Sequence, residues 1–211
     1  MPSLVVHLAL AGLLAAGLLG TAFDRRSLGV VLAAVVFADT DVFLGYVFHG
    51  AHRSAFHNLV LPLAVAGIAY YDIRIRETSW LRTQFGRTAP RVLGVTLVVY
   101  VLAAIGLDFV TGGANIFYPV YDQFIYVNGR FFLSNQQGLV QTFVDLNQGA
   151  ISGHTVGSTE TVHMGSGFDT TAGHDPRSVE RIFPVVGSGW QLLLLVTSSV
   201  VVGSRLWEDR E

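Results

Sequence analysis

Seven residues carry most of the chemistry this chain could do: His7, Asp39, Asp41, His52, Arg53, His57 and Asp108. All but His52 and Arg53 stand inside stretches that are otherwise apolar. An aspartate at the centre of a membrane helix costs about 2.5–3.5 kcal/mol on insertion scales. Three of them need protonation, hydration, pairing with Arg53 or a bound divalent cation. The chain has no cysteine, so a metal would be held by imidazole and carboxylate. That donor set suits zinc, with manganese or iron as alternatives. The expected ligands of a divalent metal are His7, Asp39, His52, His57 and Asp108. Such a cation lowers the pKa of a bound water towards 7. Arg53 is expected to clamp a pair of phosphate oxygens, and Asp41 to act as general base.

Five apolar segments are expected to position these groups: Leu4 to Gly20, Ser27 to Phe48, His57 to Tyr71, Val92 to Val110, and Trp190 to Gly203. A span needs about 20 residues, so the third and fifth are expected to extend into their flanks. Counting helical rise, Asp39 lies about 18 Å and Asp41 about 21 Å above the start of span two. His7 lies about 21 Å above the inner end of span one, His57 about 22 Å above that of span three, and Asp108 about 25 Å above that of span four. Five ionisable side chains from four helices therefore fall in one layer. Asp39 and Asp41 are about 200° apart on a regular helix, so they cannot both face one point without a distorted turn. His52 and His57 share no helical face either, unless His52 lies in the loop, whereas Arg53 and His57 are spaced to face together.

Arginine placement sets the expected orientation. Arg25, Arg26, Arg74, Arg76, Arg82, Arg87, Arg91, Arg205 and Arg210 fall on one side of five alternating helices, which by the positive-inside rule is the cytoplasm. No basic residue precedes the first apolar run, so it is read as an uncleaved helix with its N-terminus outside. The chain is thus read as an α-helical integral membrane protein in three parts. Residues 1–111 form four helices carrying the polar site, 112–189 an extracytoplasmic hairpin and loop, and 190–211 a fifth helix and cytoplasmic tail. Asn128-Gly129 between two β-prone runs is a hairpin signal. The stretch from Asn147 to His174, rich in Gly, Ser, Thr and His, reads as a long loop. Gly12, Ala16 and Gly20 make a small-residue stripe suited to close helix packing.

Composition agrees. Of 211 residues, 51% are hydrophobic and 13% charged, with mean hydropathy +0.51; soluble domains carry about 25% charged residues. The net charge of −2 offers no basic stripe for nucleic acid. All basic residues are arginine, which removes lysine Schiff-base and Walker-type chemistry.

The order His7, Ala38-Asp39-Thr40-Asp41, His52-Arg53-Ser54-Ala55-Phe56-His57-Asn58, Leu107-Asp108-Phe109-Val110-Thr111-Gly112 and Phe117-Tyr118-Pro119 resembles the YdjM-like family of membrane-bound metal-dependent hydrolases over residues 1–120. The resemblance implies a helical membrane fold distantly similar to zinc-dependent phospholipase C. Against the family pattern, Ala38 replaces a proline, Phe56-His57-Asn58 stands where Thr-His-Ser is common, and Ala104 stands where a histidine is expected. His154, His163 and His174 are the outer-loop residues available to substitute. The expected function is hydrolysis of a phosphoester or other ester of a lipid or lipid-linked substrate at the outer membrane face. A proton or cation pathway, or a non-catalytic membrane module built on the same polar cluster, is the competing expectation.

Overall fold

The computed structural model describes residues 2–145, 150, 151, 153–171, 173 and 177–209. Helix starts follow from local capping. Ser3 accepts a hydrogen bond from the Val6 amide and opens α1, Leu4–Leu18. Asp24 accepts one from the Ser27 amide at 2.7 Å and opens α2, Arg25–Asp39. α2 then tightens into a 3-10 segment, Thr40–Tyr46. Asn58 accepts from the Leu61 amide at 3.1 Å ahead of α3, Val60–Tyr70. A short α4, Trp80–Phe85, follows. Next come α5, Ala89–Val99, a π-helical stretch over Tyr100–Gly106, and α6, Leu107–Thr111, which form one continuous rod. The chain closes with α7, Gly189–Glu208.

Three of these rods are long and apolar enough to cross a membrane: Arg25–Tyr46, Ala89–Thr111 and Gly189–Glu208. They mark the chain as a membrane protein. α1 is apolar but 15 residues long, and α3 has 11, so the first and third expected spans fall short of that length. The third helix also begins at Val60, leaving His57 in the turn before it. Only 11% of the apolar window of α7 is buried within the protein. Its Leu192, Leu193, Val196 and Val200 project outward, as lipid-facing residues must.

α1 packs against α2 and α7, and α5 with its π-helical extension packs against α1 and α2. The shared core includes Ala11, Ala15, Leu19, Val31, Val35, Val99 and Ala103. Gly12 provides the close approach expected of the small-residue stripe. A Cβ there would lie 3.1 Å from both Ser198 Oγ and Val202 Cγ2 of α7. At the far end of α1, Arg91 donates to the Leu18 carbonyl at 2.9 Å and Arg205 to that of Gly20 at 3.3 Å. These guanidiniums satisfy carbonyls that a helix C-terminus leaves open.

The segment after α6 is irregular with short antiparallel pairs. β1, Phe124–Val127, pairs with β6, Gly153–Gly157. β2, Phe131–Ser134, pairs with β3, Gly138–Gln141. β4, Val144–Asp145, pairs with β5, Ala150–Ile151. The hairpin therefore lies one strand later than Asn128-Gly129 suggests. Neither residue adopts the positive φ that a type I′ turn needs, and Gly129 instead packs against the Phe143 ring.

The α2 cap gives a direct test. The Ser27 amide hydrogen bond holds the Asp24 carboxyl below its ordinary range. Because this pKa is lowered on folding, the stabilisation is present above the unfolded pKa and lost as pH falls through the folded one. Asp24→Ala is expected to cost about 1 kcal/mol at pH 7. In acid titration of thermal stability, the gap from wild type should close below about pH 4.

Candidate metal centre

The centre is assembled where α1, the end of α2, the loop before α3 and α6 meet. The loop from Gly50 to Asn58 is pinned by its own polar residues. Ser54 Oγ donates to the carbonyls of Gly50 and Ala51 at 2.6 and 2.9 Å. Asn58 Nδ2 donates to those of Ser54 and Ala55, both at 2.8 Å. The Tyr100 hydroxyl, from the π-helical stretch, donates to the Phe56 carbonyl. Asn115, fully buried, donates its amide to the Arg53 carbonyl at 2.9 Å.

Arg53 sits at φ 64°, a left-handed backbone that costs a non-glycine residue about 1–3 kcal/mol. Four bonds hold it there. Its amide donates to Asp41 Oδ2 at 3.1 Å, and its carbonyl accepts from Asn115. Its guanidinium donates to Asp108 Oδ1 at 2.6 Å and to the Gly113 carbonyl at 3.4 Å. Its side chain is 2% exposed and that of Asp108 is 1%, so this is a buried ion pair.

The two aspartates at the end of α2 take different places, one on each side of the His57 ring. Asp41 accepts from His57 Nδ1 at 2.8 Å through Oδ2 and from His52 Nδ1 at 2.8 Å through Oδ1. Asp39 faces the opposite nitrogen, with Oδ1 3.3 Å from His57 Nε2. Thus the distorted turn is present, and it removes the need for both carboxylates to share a helical face. His7 lies against Asp39 and Asp108, with Nδ1 3.4 Å from Asp39 Oδ2 and Nε2 3.3 Å from Asp108 Oδ1. His57 Nε2 is also 3.5 Å from Asp108 Oδ2.

All seven sequence-nominated residues therefore belong to one connected cluster. His7, Asp39 and Asp108 each offer one ligand atom, all within 4.8 Å of one another, and could hold a metal ion. His57 Nε2 borders the same carboxylates. His52 is drawn to Asp41 and lines the cavity beside the cluster.

The donor chemistry fits a divalent cation. The Nε2 atoms of His7 and His57 are both buried without an aligned hydrogen bond. Aimed at carboxylate oxygens, each presents the atom that neutral imidazole uses to bind metal. Three carboxylates against one guanidinium leave two negative charges, which a divalent cation neutralises while both imidazoles remain uncharged. Asp41 completes the carboxylate–imidazole pairing that fixes the tautomer of metal-binding histidines.

A cavity of about 840 Å³ opens onto this cluster. His7, Asp39, His52, Arg53 and Asp108 form its polar floor. Val36, Phe43, Phe168, Ile182 and Phe183 are among its apolar walls. The loop over residues 165–170 and 180–184 closes one side. It is tied to the 3-10 segment by the Tyr46 hydroxyl, which donates to the Phe168 carbonyl at 2.7 Å. The Phe43 and Phe168 rings also meet, with centroids 5.1 Å apart.

Other expectations fall elsewhere. Ala104 is fully buried in the apolar core. His163 lies away from the cluster, against His49 and Asp169. His154 belongs by its backbone to β6, opposite Tyr126, and His174 lies outside the described residues. Asn115, Ser54 and Tyr100 escape sequence reasoning because their work is to satisfy backbone groups of one loop, which leaves no periodic signal. The walls at Phe168 and Phe183 depend on a long irregular segment folding back. Comparison of the chain with protein-family models, curated proteins and solved structures finds no match.

Proposed function

We propose that this protein is a membrane-bound metal-dependent hydrolase acting on a phosphoester or other ester of a lipid or lipid-linked substrate. The observation carrying the proposal is the pair of buried Nε2 atoms on His7 and His57, lacking aligned hydrogen bonds, beside Asp39 and Asp108 on the floor of a mostly apolar cavity. The resemblance of residues 1–120 to the YdjM-like hydrolases points the same way. In this reading His7, Asp39, His57 and Asp108 hold the cation, zinc by preference of the donor set with manganese or iron as alternatives. His52 stands beside them.

A bound divalent cation supplies Lewis acidity and an acidified water at neutral pH. The chain's own residues do the rest. The apolar walls take up a hydrocarbon chain and exclude water around the polar floor. Arg53, held by Asp108 and by the Gly113 carbonyl, presents a fixed positive charge to a substrate oxygen. Asp41 receives hydrogen bonds on both oxygens, which suits it to orienting His52 and His57. His52, lining the cavity, is the group placed to hold and pass a proton at Nε2.

We place the N-terminus and the cluster on the outer side of the membrane and the C-terminus in the cytoplasm, from the arginine distribution. Five membrane-crossing segments are proposed, with α1 and α3 completing their spans through flanking turns.

Purified full-length protein in detergent micelles is expected to release fatty acid or phosphorylated headgroup from phospholipid. A chelator should abolish release, and added zinc or manganese should restore it. Turnover unaffected by chelation would overturn the metal-dependent reading, and a metal-loaded protein inert on every ester class would overturn the hydrolase.

A further inference from the structure

A second cavity, about 640 Å³, lies on the other side of the contact between the 3-10 segment and the loop. It is lined by Gly45 and Tyr46 of the first, by Val47, Phe48 and His49 just after it, and by His163, Asp169, Arg177 and Arg181 from the second. We infer that this cavity is a binding site for a phosphate group, either as a lipid headgroup or as free phosphate. Phosphate binding here needs no hydrolytic activity at the His7 centre.

Three observations support it. First, among the described residues the charged lining is two arginines to one carboxylate, with two imidazoles beside them. Guanidinium recognises phosphate through paired N–H donors. Second, contacts hold three of these basic groups in place. Arg181 donates to the carbonyls of Gly167 and Phe168 at 3.1 and 2.7 Å. The His49 and His163 rings stack with centroids 5.4 Å apart, and His163 Nε2 is buried without a hydrogen bond. Third, the loop is seated closely. A Cβ on Gly45 would fall 2.4 Å from Asp169 Oδ2, so a larger residue there would have to displace that carboxylate.

A cation is the poorer occupant. His163 Nε2 is 3.8 Å from Asp169 Oδ1. Among the described residues, the ligand-spacing group is that of His7, Asp39 and Asp108. The two cavities share a wall, since Gly167 and Phe168 line the first and anchor Arg181 of the second. A phospholipid could therefore place its phosphate in the basic cavity and its chain in the apolar one.

The test is calorimetric titration of the full-length protein in neutral detergent micelles. EDTA is kept present so that no cation at the His7 centre bridges to phosphate. The titrants are inorganic phosphate, dihexanoyl phosphatidic acid and dihexanoyl glycerol. Saturable binding of phosphatidic acid, competed by phosphate and stronger than binding of the glycerol compound, supports a headgroup site. Binding of inorganic phosphate at least as tight supports a free-phosphate site. Arg177→Gln, a change at an exposed position, and His49→Gln should each weaken phosphate-dependent binding. The Arg177 loss should be about tenfold or more, the worth of a charge-assisted hydrogen bond, with the melting temperature unchanged. No phosphate-dependent binding, or binding that both variants leave at the wild-type level, would overturn the inference.

Discussion

Asp108→Ala is expected to destabilise the metal-free protein by about 3–5 kcal/mol, the usual consequence of stripping one partner from a buried ion pair. Arg53 would be left with its guanidinium buried and its 2.6 Å bond to Asp108 removed. Its left-handed backbone would lose one of the contacts that hold it. The double variant Arg53→Met with Asp108→Ala removes both charges together and should recover much of that loss. Thermal unfolding of the single and double variants in the presence of chelator measures this. The same double variant should still fail to bind a divalent cation, because Asp108 is absent. Stability and cation binding are thereby separated in one pair of proteins. A single variant as stable as wild type would show that the Arg53–Asp108 pair does not hold the loop in place.

The second large effect is expected at Asp41. Its two oxygens accept from His52 Nδ1 and His57 Nδ1, both at 2.8 Å, and Oδ2 also accepts from the Arg53 amide. Asparagine has nearly the same shape, but it exchanges one acceptor for an N–H₂ donor. One imidazole would then face a donor at Nδ1 and would shift its proton to Nε2. If this happens at His57, the atom aimed at Asp39 and Asp108 can no longer bind a metal. Asp41→Asn is therefore expected to weaken cation affinity about 10–100-fold, as loss of such an outer partner does at other metal sites. Competition of the protein with a zinc-chelating dye measures it. Affinity equal to wild type would show that Asp41 does not act through His57.

The site was more legible in the sequence than the fold around it. His7, Asp39, Asp41, His57 and Asp108 stood out because charge is costly in apolar helices, and counting helical rise placed them at one depth. Helical rise needs only spans and spacing, and the side chains of these five residues lie within 3.5 Å of one another in successive pairs. It could not say which oxygen meets which nitrogen. Asp39 and Asp41 take opposite sides of His57 because α2 gives way to a 3-10 segment at Thr40, a change with no proline or glycine at the junction to announce it. The strained backbone at Arg53 was equally hidden, since it arises from hydrogen bonds with Asp41, Asp108 and the distant Asn115.

The outer segment was the least legible. Asn128-Gly129 is a strong local hairpin signal, but β1 pairs with β6 across a long sequence separation instead. Tertiary contact there outweighs turn chemistry. Helix lengths also differ from the hydropathy reading. α3 starts at Val60 because Asn58 takes the Leu61 amide just ahead of it and the preceding residues are committed to the polar cluster.

Metal analysis and zinc titration of the protein, stripped with chelator and then dialysed, show directly whether the two imidazole Nε2 atoms and the facing carboxylates form a divalent-cation site. Saturable binding of one zinc ion per chain is expected, lost in His7→Ala and in Asp39→Asn while both variants remain folded. Absence of stoichiometric binding in the wild type, or binding undiminished in those two variants, would contradict it.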